Sequence, residues 1–283
     1  MKRNKRLFLF AAYDQNGIID DALIYYVSTL SKFGDIIVCL DSDCQESETK
    51  KLKHYTIHTI SGRHKEYDFG SYKRAFQYAK DKKILKNYET MYLVNDSVFG
   101  PLFDVKNTLL KLESLPSDAA GMVESKHKTH SFMESWFIRL NASVFLSSWF
   151  DDFISSVIKE ANKYEITIKY EHGLSNLIKN NNLSWSCLYK IYGRETYNRP
   201  KTLFIMGCPF IKKASFIRHN GAAGAQIKYT LRHADKSAAA AVLKTANRVY
   251  GEKYMNWLLT SNPFKIMSRN IKYAITKLKN GTL

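Results

Sequence analysis

The stretch Tyr92-Leu93-Val94-Asn95-Asp96-Ser97-Val98-Phe99-Gly100-Pro101 decides the fold, because an apolar run there passes directly into polar side chains. Residues 91–94 predict a short buried strand, and Asn95, Asp96 and Ser97 follow it before a Gly-Pro break. Polar groups that follow a buried parallel strand lie at the edge where open α/β sheets bind their ligands. The sequence therefore predicts a ligand site after this strand.

Strand and helix patterns alternate on both sides of this stretch. The predicted strands are 6–13, 35–40, 54–60, 91–94, 118–124, 134–140 and 202–206, and the predicted helices are 19–33, 68–80, 101–112, 142–161 and 170–178. We interpret 6–13 as a first strand rather than a signal peptide, and 134–140 as an antiparallel strand at an edge of the sheet. The alternation favours βαβ units, and so an α/β fold with a mostly parallel sheet flanked by helices.

Composition limits the class of protein. A chain of 283 residues with 45% hydrophobic residues suits one folded domain with additions, or two small domains. It contains no apolar run of the roughly 18 to 20 residues that span a bilayer. Its four cysteines have no metal-ligand spacing, so we expect reduced thiols in a cytosolic protein.

The net charge of +17 is concentrated in the last part of the chain. Residues 201–283 contain 15 Lys and Arg against Asp235 and Glu252, an excess of +13 that leaves +4 for the first 200 residues. This bias predicts an anionic partner, either nucleic acid or an anionic membrane surface, with a solvated surface as the alternative. We divide the chain into a domain over 1–215 and a basic helical extension over 216–283.

The end of the extension has an apolar helical face with basic residues around it. Such a helix lies on anionic lipid, and the alternative is a helix packed on the core with a solvated basic face. The apolar residues are Phe264, Met267, Ile271, Ala274, Ile275 and Leu278, and the basic residues are Lys265, Arg269, Lys272, Lys277 and Lys279.

Polar residues at other predicted strand ends are candidates for the same site. Asp41 and Asp43 follow the strand 35–40 and could bind ribose hydroxyls or a base edge, although these residues alone favour an ordinary strand-ending turn. Arg63 could hold a phosphate at the start of the next helix, which Asp68 or Ser71 could cap. The alternative there is a capped helix beside a solvated arginine.

Two further positions could carry chemistry. Asp96 beside Asn95 could hold Mg²⁺ or Mn²⁺ together with a diphosphate, and the alternative is a polar turn. Glu171, at the predicted start of a helix, is a candidate general base, and Glu124 at a strand end competes with it. A helix-start glutamate stabilised by the helix dipole is the alternative for Glu171.

Four segments, in this order, resemble the rhamnan synthesis F family of bacterial polysaccharide and lipopolysaccharide glycosyltransferases. They are Tyr67-Asp68-Phe69-Gly70-Ser71-Tyr72-Lys73, Leu93-Val94-Asn95-Asp96-Ser97-Val98-Phe99-Gly100-Pro101, Glu134-Ser135-Trp136-Phe137 and Cys208-Pro209-Phe210-Ile211-Lys212-Lys213. The resemblance covers residues 6–215. Two departures from the family pattern are Glu134 and Trp136, where Gln and Tyr are expected, and a metal motif with one acidic residue instead of two.

The resemblance implies a GT-A-like (Rossmann-like) nucleotide-sugar transferase. Asp96 with Asn95 would hold Mg or Mn, and Glu171 would be the base of an inverting reaction. The implied donor-binding residues are Asp41, Asp43, Arg63, Asp68, Asn95 and Ser97, and the implied acceptor-side residues are Glu124, Glu134 and Trp136.

The implied partners are a nucleotide-diphosphate sugar donor, with rhamnose as the first candidate sugar, and a lipid-linked or polysaccharide acceptor. We expect a cytoplasmic protein held at the inner face of the cell membrane by its basic C-terminal helices. The alternatives are a non-catalytic transferase-like subunit and a basic nucleic-acid-binding protein. The nucleic-acid-binding protein ranks well behind the transferase, because the sequence has no nucleic-acid recognition motif.

Overall fold

The structure of the protein is a computed structural model that describes residues 6–126, 130–192, 195–217 and 223–279. The side chains of residues 273 and 276–279 lie outside this description. The predicted places of Lys277, Leu278 and Lys279 on the faces of the last helix therefore lie outside the described residues. The chain forms two compact units. One contains Met1–Ser97 and Val105–Gly193, and the other contains Val98–Asp104 and Arg194–Leu283.

The described part of the first unit is built on one eight-stranded sheet. Its order is β3-β2-β1-β4-β8-β6-β7, with β9 beside β6. Strands β1 to β4 run parallel, and β8 runs antiparallel between β4 and β6. The strands are β1 Arg6–Ala12, β2 Asp35–Leu40, β3 His58–Ser61, β4 Thr90–Asn95, β6 Ala119–Lys126, β7 Ser131–Met133, β8 Phe137–Asn141 and β9 Trp185–Tyr192.

Helices flank this sheet. They are α1 Asp21–Leu30, α2 Glu46–Thr49, α3 Tyr67–Asp81, α4 Lys106–Ser114, α5 Ala142–Phe145, α6 Ser148–Ser155, α7 Lys163–Ile166 and α8 Gly173–Asn180, with 3₁₀ turns at Lys50–Leu52 and Leu85–Asn87 and a π-helical turn at Thr167–His172. Helix α3 buries Phe69, Tyr72, Phe76 and Ala79, a spacing of three or four residues that places them on one face. The predicted α/β class, a mostly parallel sheet flanked by helices that fits a GT-A-like fold, is confirmed.

The register brings several strand ends to one edge of the sheet. Ala12 pairs with Leu40, Leu40 pairs with Ser61, and Ala11 pairs with Asn95. Because β2 lies on one side of β1 and β4 lies on the other, the crevice beyond β1 and β4 is a topological switch point. The residues that follow these four strands therefore meet where sheets of this kind bind ligands.

Several sequence predictions of secondary structure were wrong or incomplete. Residues 202–206 form no strand, because helix α10 (Pro200–Ile205) covers all but the last of them. The helix begins with Pro200, and proline suits this position because the N–H groups of the first turn have no partner within the helix. Strand β8 is antiparallel as predicted, but it lies inside the sheet rather than at an edge. Strand β9 was not predicted, although alternate residues from Cys187 to Ile191 are buried, a period that favours a strand.

The second unit is mainly helical in its described residues. A two-stranded ribbon pairs β5 (Val98–Phe99) with β10 (Ile211–Lys212), and Gly100 lies where an added Cβ would meet the Pro209 carbonyl oxygen at 2.6 Å. The other helices are α9 Glu195–Asn198, α11 Ala214–Ile217, α12 Ala223–Arg232, α13 Lys236–Tyr250, α14 Glu252–Leu258 and α15 Pro263–Lys279. The division into a transferase domain over 1–215 and an extension over 216–283 stays a prediction.

None of the helices in the described part of the chain is both long and apolar enough to cross a membrane.

Arg139 is a buried cation that connects β8 to the end of α4 and the loop after it. It is 1% exposed, and its guanidinium donates to the carbonyl oxygens of Leu112, Leu115 and Ser117 at 2.9 to 3.2 Å. We predict that Arg139→Met lowers the free energy of unfolding by about 3 kcal/mol, because buried carbonyl groups lose their donor. Urea denaturation measures this, with Arg199→Met at an exposed arginine as the control. Equal stability of the two variants would contradict this role.

Candidate active site at the carboxyl edge of the sheet

Asp41, immediately after β2, anchors the loop that follows β3. Its Oδ1 accepts hydrogen bonds from the backbone N–H groups of His64 at 2.7 Å and Lys65 at 2.9 Å. Its Oδ2 forms an ion pair with the Arg63 guanidinium. Burial opposes ionisation of this carboxyl, but the bonds from Arg63, Lys65 and His64 outweigh it and lower its pKa. Asp41 is therefore a fixed negative charge that shapes the loop.

Arg63 connects this loop with the residues after β1. Its backbone N–H donates to Oδ1 of Asp43 at 2.9 Å, and its guanidinium lies 4.7 Å from the centre of the Tyr13 ring. Tyr13 follows β1 and is 48% exposed. The edge therefore presents an accessible aromatic ring with a cation above it, an arrangement able to contact a base and a phosphate.

The His64 side chain is buried beside Asp41. Its Nδ1 accepts from the Glu66 N–H at 3.1 Å, so the proton lies on Nε2, which faces the Ser71 hydroxyl at 3.0 Å. Burial and the positive charge of Arg74 lower the pKa of His64 to about 4. The imidazole is thus neutral at pH 7. It holds a loop in which Lys65 and Tyr67 take φ values of 62° and 56°, a left-handed conformation that side chains disfavour.

Asn95 at the end of β4 joins three elements of the fold. Its Nδ2 donates to Asp68 Oδ2 at 2.9 Å, and its Oδ1 accepts from the Ser97 N–H at 3.0 Å. Its backbone N–H donates to the Trp136 carbonyl oxygen at 3.1 Å. The prediction that Asp68 or Ser71 caps helix α3 was wrong: the helix begins at Tyr67, Glu66 occupies the cap position, and both residues lie inside the helix.

The backbone of Asp96 is fixed by a hydrogen bond from its N–H to the Ala11 carbonyl oxygen at 3.1 Å. The Asp96 side chain is half-buried. Across residues 6–126, 130–192, 195–217 and 223–279, no three His, Cys, Asp or Glu side chains form a group that could hold a metal ion. The amide oxygen of Asn95 is already bonded to Ser97. The protein therefore offers Asp96 as a single carboxylate, which fits a Mg²⁺ or Mn²⁺ ion held mainly by water and phosphates.

Glu171 lies inside a helical segment rather than at its start. The segment begins at Lys163, where the Asn162 side chain caps it, and continues through the π-helical turn into α8. The predicted helix start at 170 was therefore wrong, and the helix dipole does not explain Glu171. The Ser135 hydroxyl donates to Glu171 Oε1 at 2.9 Å, which fixes the half-buried carboxylate at the same edge of the sheet. Single π-turns often occur at functional positions.

Tyr72 links Glu171 to Asn95 and Asp68. Its hydroxyl donates to the Ser135 carbonyl oxygen at 3.0 Å. Burial raises the pKa of Tyr72 well above its usual value, and the negative charges of Asp68 and Glu171 act in the same direction. Tyr72 is thus a neutral donor between these carboxylates, and Asp68, Asn95, Tyr72, Ser135 and Glu171 form one polar group, which we name the Asn95 network.

The predicted acceptor-side residues are buried. Trp136 Nε1 donates to Glu134 Oε2 at 2.7 Å, and both side chains are buried before β8. Glu124 in β6 is also buried, and its Oε2 lies 3.8 Å from the Lys190 Nζ. These contacts support the strands next to the Asn95 network. Direct contact of Glu124, Glu134 or Trp136 with an acceptor stays a prediction.

All the predicted site residues lie in the first unit, at or next to this edge. Asp41, Asp43 and Arg63 form one group with Tyr13 and His64, and the Asn95 network contains Asp68, Asn95 and Glu171. Asp96 and Ser97 directly follow Asn95, and the buried side chains are those of Glu124, Glu134 and Trp136. Sequence reasoning missed Tyr13, His64, Tyr72 and Ser135. A signal existed for each, because Tyr13 is the last residue of a predicted strand and the other three lie in or beside the quoted motifs.

A parallel sheet with an ionised Asp41–Arg63 pair and a polar network at its switch point defines an α/β protein with a ligand site at that edge. The sequence profile of the family described as rhamnan synthesis protein F matches residues 36–278. The chain therefore belongs to the rhamnan synthesis protein F family, which supports a glycosyltransferase in general. A comparison with curated protein sequences finds no significant match.

Three solved structures are similar to the chain. A protein described as a nucleotide-diphospho-sugar transferase from Desulfovibrio desulfuricans is 16% identical, with a TM-score of 0.43 over 90% of this chain and 99% of that chain. A cytidylyltransferase from Leptospira borgpetersenii is 14% identical, with a TM-score of 0.36 over 67% and 76%. Core-mannan synthase A from Aspergillus fumigatus, in a Mn/GDP form, is 12% identical, with a TM-score of 0.32 over 57% and 67%. At these low values, the family match alone carries the assignment.

We predict that His64 makes stability depend on pH. Between its ordinary pKa of 6.5 and its folded value of about 4, the unfolded chain binds a proton that the folded chain excludes. The free energy of unfolding therefore falls as the pH drops through this range, by at most about 3 kcal/mol. Protonation of Asp41, whose pKa is lowered, adds a further loss at still lower pH.

Urea denaturation at a series of pH values tests this. His64→Gln, which keeps a side-chain N–H near Ser71, should have a smaller slope between pH 6.5 and 4 than the wild type. The control His54→Gln, at an exposed histidine, should keep the wild-type slope. An unchanged slope in His64→Gln would show that other groups cause the pH dependence.

Proposed function

We propose that this protein is a glycosyltransferase that moves a sugar from a nucleotide-diphosphate sugar to a cell-surface polysaccharide or lipopolysaccharide acceptor. The family supports the reaction class. The observation that carries the proposal further is the placement of the Arg63–Tyr13 surface and the Glu171 carboxylate at one edge of the sheet. Rhamnose is the first candidate for the sugar, because the family is described by rhamnan synthesis.

The donor would lie beyond β1, β2 and β4. The Tyr13 ring offers a stacking surface for the base, and the Arg63 guanidinium above it supplies positive charge for a phosphate. Asp41 contributes indirectly, since its carboxylate is occupied by Arg63 and by two backbone N–H groups. Asp43 and Ser97, on either side of this crevice, remain candidates for direct donor contacts.

Glu171 would act as the general base. A carboxylate held by Ser135 can take the proton of an acceptor hydroxyl while its oxygen attacks the anomeric carbon. The bond from that carbon to the diphosphate breaks in the same step, so the nucleoside diphosphate leaves with the bonding electrons and the configuration inverts. Tyr72 and Asn95 keep Ser135 and the end of β4 in place for this step.

Asp96 would hold Mg²⁺ or Mn²⁺ together with the donor's phosphates, and such an ion would supply positive charge against the leaving diphosphate. The support is the single half-buried carboxylate after β4.

The acceptor would be lipid-linked or a growing polysaccharide, and we place the protein in the cytoplasm at the inner face of the cell membrane. The support is the excess of +13 in residues 201–283.

A second candidate is a non-catalytic transferase-like subunit. The limited carboxylate set at Asp96 favours it, since the described residues form no three-ligand metal group.

The direct test is a thermal-shift panel of nucleoside diphosphates and their sugars, with and without Mn²⁺. We predict that at least one nucleotide-diphosphate sugar raises the melting temperature of the wild type, because a ligand that binds the folded chain stabilises it. Arg63→Ala should lose this shift, whereas the exposed control Arg199→Ala should keep it. If no nucleotide or nucleotide sugar stabilises the chain, the donor site is wrong.

We predict that Glu171→Gln and Asp96→Ala each lower transfer by about 10²–10⁴-fold, since one loses the base and the other the phosphate-side carboxylate. Release of nucleoside diphosphate from the donor that the panel identifies measures this. Melting temperatures should stay near the wild-type value, because both side chains are half-buried at the edge of the sheet. Glu165→Gln and Asp152→Ala are the matched controls.

These two variants test the proposed roles of Asp96 and Glu171 separately. Near-normal turnover in Asp96→Ala would remove Asp96 from the mechanism, and near-normal turnover in Glu171→Gln would remove the base. Donor binding without turnover in the wild type, with every acceptor tried, would favour the non-catalytic subunit.

A further inference from the structure

The last helix, α15, turns its apolar stripe outward. Phe264, Met267, Ile271 and Ile275 are 76%, 57%, 52% and 46% exposed. They recur at intervals of three or four residues, so they share one face of the helix, over a length of about 17 Å. We name these four residues the outer stripe.

The opposite side of α15 is the side that packs. Arg269 is 4% exposed, and its Nη1 donates to the Leu258 carbonyl oxygen at 2.6 Å, at the end of α14. Gly224 of α12 packs against the same carbonyl, since an added Cβ would lie 2.0 Å from that oxygen. Burial lowers the pKa of Arg269, because surroundings without water disfavour the charged form of the guanidinium.

This orientation is the reverse of that expected for a helix that only covers a core. In water, such a helix buries its apolar residues and exposes its cations. In α15, backbone carbonyl groups hold the Arg269 guanidinium on the packed side of the helix, and the four large apolar side chains of the outer stripe face outward. The alternative considered from the sequence, a helix packed through its apolar face, is excluded for the described part of α15 by these exposures.

Basic side chains lie beside the outer stripe. A groove of about 820 Å³ between α14 and the start of α15 is lined by Lys253, Trp257, Phe264 and Lys265, together with Glu252 and two small polar residues. Lysines next to an aromatic pair fit a phosphate headgroup above acyl chains, since tryptophan and lysine both favour the membrane interface.

We propose that the outer stripe of α15 docks on an anionic membrane, with its four apolar side chains in the acyl boundary and the groove at Lys253 and Lys265 holding a lipid phosphate. This extends the proposed function by giving the membrane contact a surface, and it is tested without any sugar transfer. An apolar stripe alone binds lipid weakly, and basic residues supply the preference for anionic headgroups.

The test is co-sedimentation of the full chain with vesicles of phosphatidylcholine, with and without phosphatidylglycerol. The wild type should bind the anionic vesicles at least tenfold more strongly than the neutral ones. Met267→Ser with Ile271→Ser should lower binding to anionic vesicles at least tenfold. The matched control is Ile158→Ser with Met206→Ser, two apolar side chains outside α15 that are 57% and 51% exposed, and it should bind like the wild type.

A second pair tests the charge. Lys253→Gln with Lys265→Gln should remove most of the preference for anionic vesicles, whereas Lys53→Gln with Lys86→Gln, at exposed positions in the first unit, should not. Equal binding of the stripe variant and its control would overturn the proposal. So would a concentration-dependent dimer of the wild type, seen by analytical ultracentrifugation, that the stripe variant abolishes.

The outcome is separable from that of the proposed function. Glu171→Gln should sediment with vesicles like the wild type, even though it loses transfer. Loss of vesicle binding together with normal release of nucleoside diphosphate from the donor is the expected result for the stripe variant. A wild type that transfers sugar but does not bind anionic vesicles would overturn the membrane contact and leave the transferase intact.

Discussion

The candidate site depends on one buried amide, that of Asn95. Its two halves bond in different directions, to Asp68 of α3 and to the Ser97 N–H, while its backbone reaches Trp136 before β8. A buried amide that lost one of these partners would leave an unsatisfied polar group, which is costly inside a protein. The end of β4, the first turn of α3 and the start of β8 are therefore fixed relative to one another by a single residue, through its side chain and its backbone, and Glu171 is tied to them through Ser135.

The two polar groups of the edge have different electrostatic properties. Asp41 is ionised and surrounded by donors that fix the loop after β3, and one of these donors, the Arg63 guanidinium, also lies beside the exposed Tyr13 ring. The Asn95 network instead holds two carboxylates, Asp68 and Glu171, around the neutral donor Tyr72. In the proposed function the first group would contact the nucleotide-diphosphate donor and the second the acceptor hydroxyl, so the acidic residues of the edge would have different roles.

Much of this arrangement could be predicted from local sequence. Strands β1, β2 and β4 are continuous apolar runs, and the polar residues that end them are visible without any structure. The apolar run 202–206 was ambiguous between strand and helix, and Pro200 was the overlooked signal for a helix. The insertion of β8 between β4 and β6 and the direction of the outer stripe could not be predicted. Both depend on partners distant in sequence, as Arg269 does on the carbonyl group of Leu258.

The π-helical turn at Thr167–His172 has a consequence for how this site could arise or be lost. Such a turn holds one residue more than the α-helix around it, so it behaves as a one-residue insertion within a continuous helix. Ile166 before the turn, Tyr170 within it and Leu174 and Ile178 after it are all buried, while Glu171 within the turn reaches Ser135. Deleting one residue from the turn would restore a regular α-helix with its flanking turns in phase, so the buried residues could keep their packing while Glu171 would lose its position beside Ser135. The carboxylate and the packing of the helix could then not both be kept, so length at this point is constrained as strictly as residue identity.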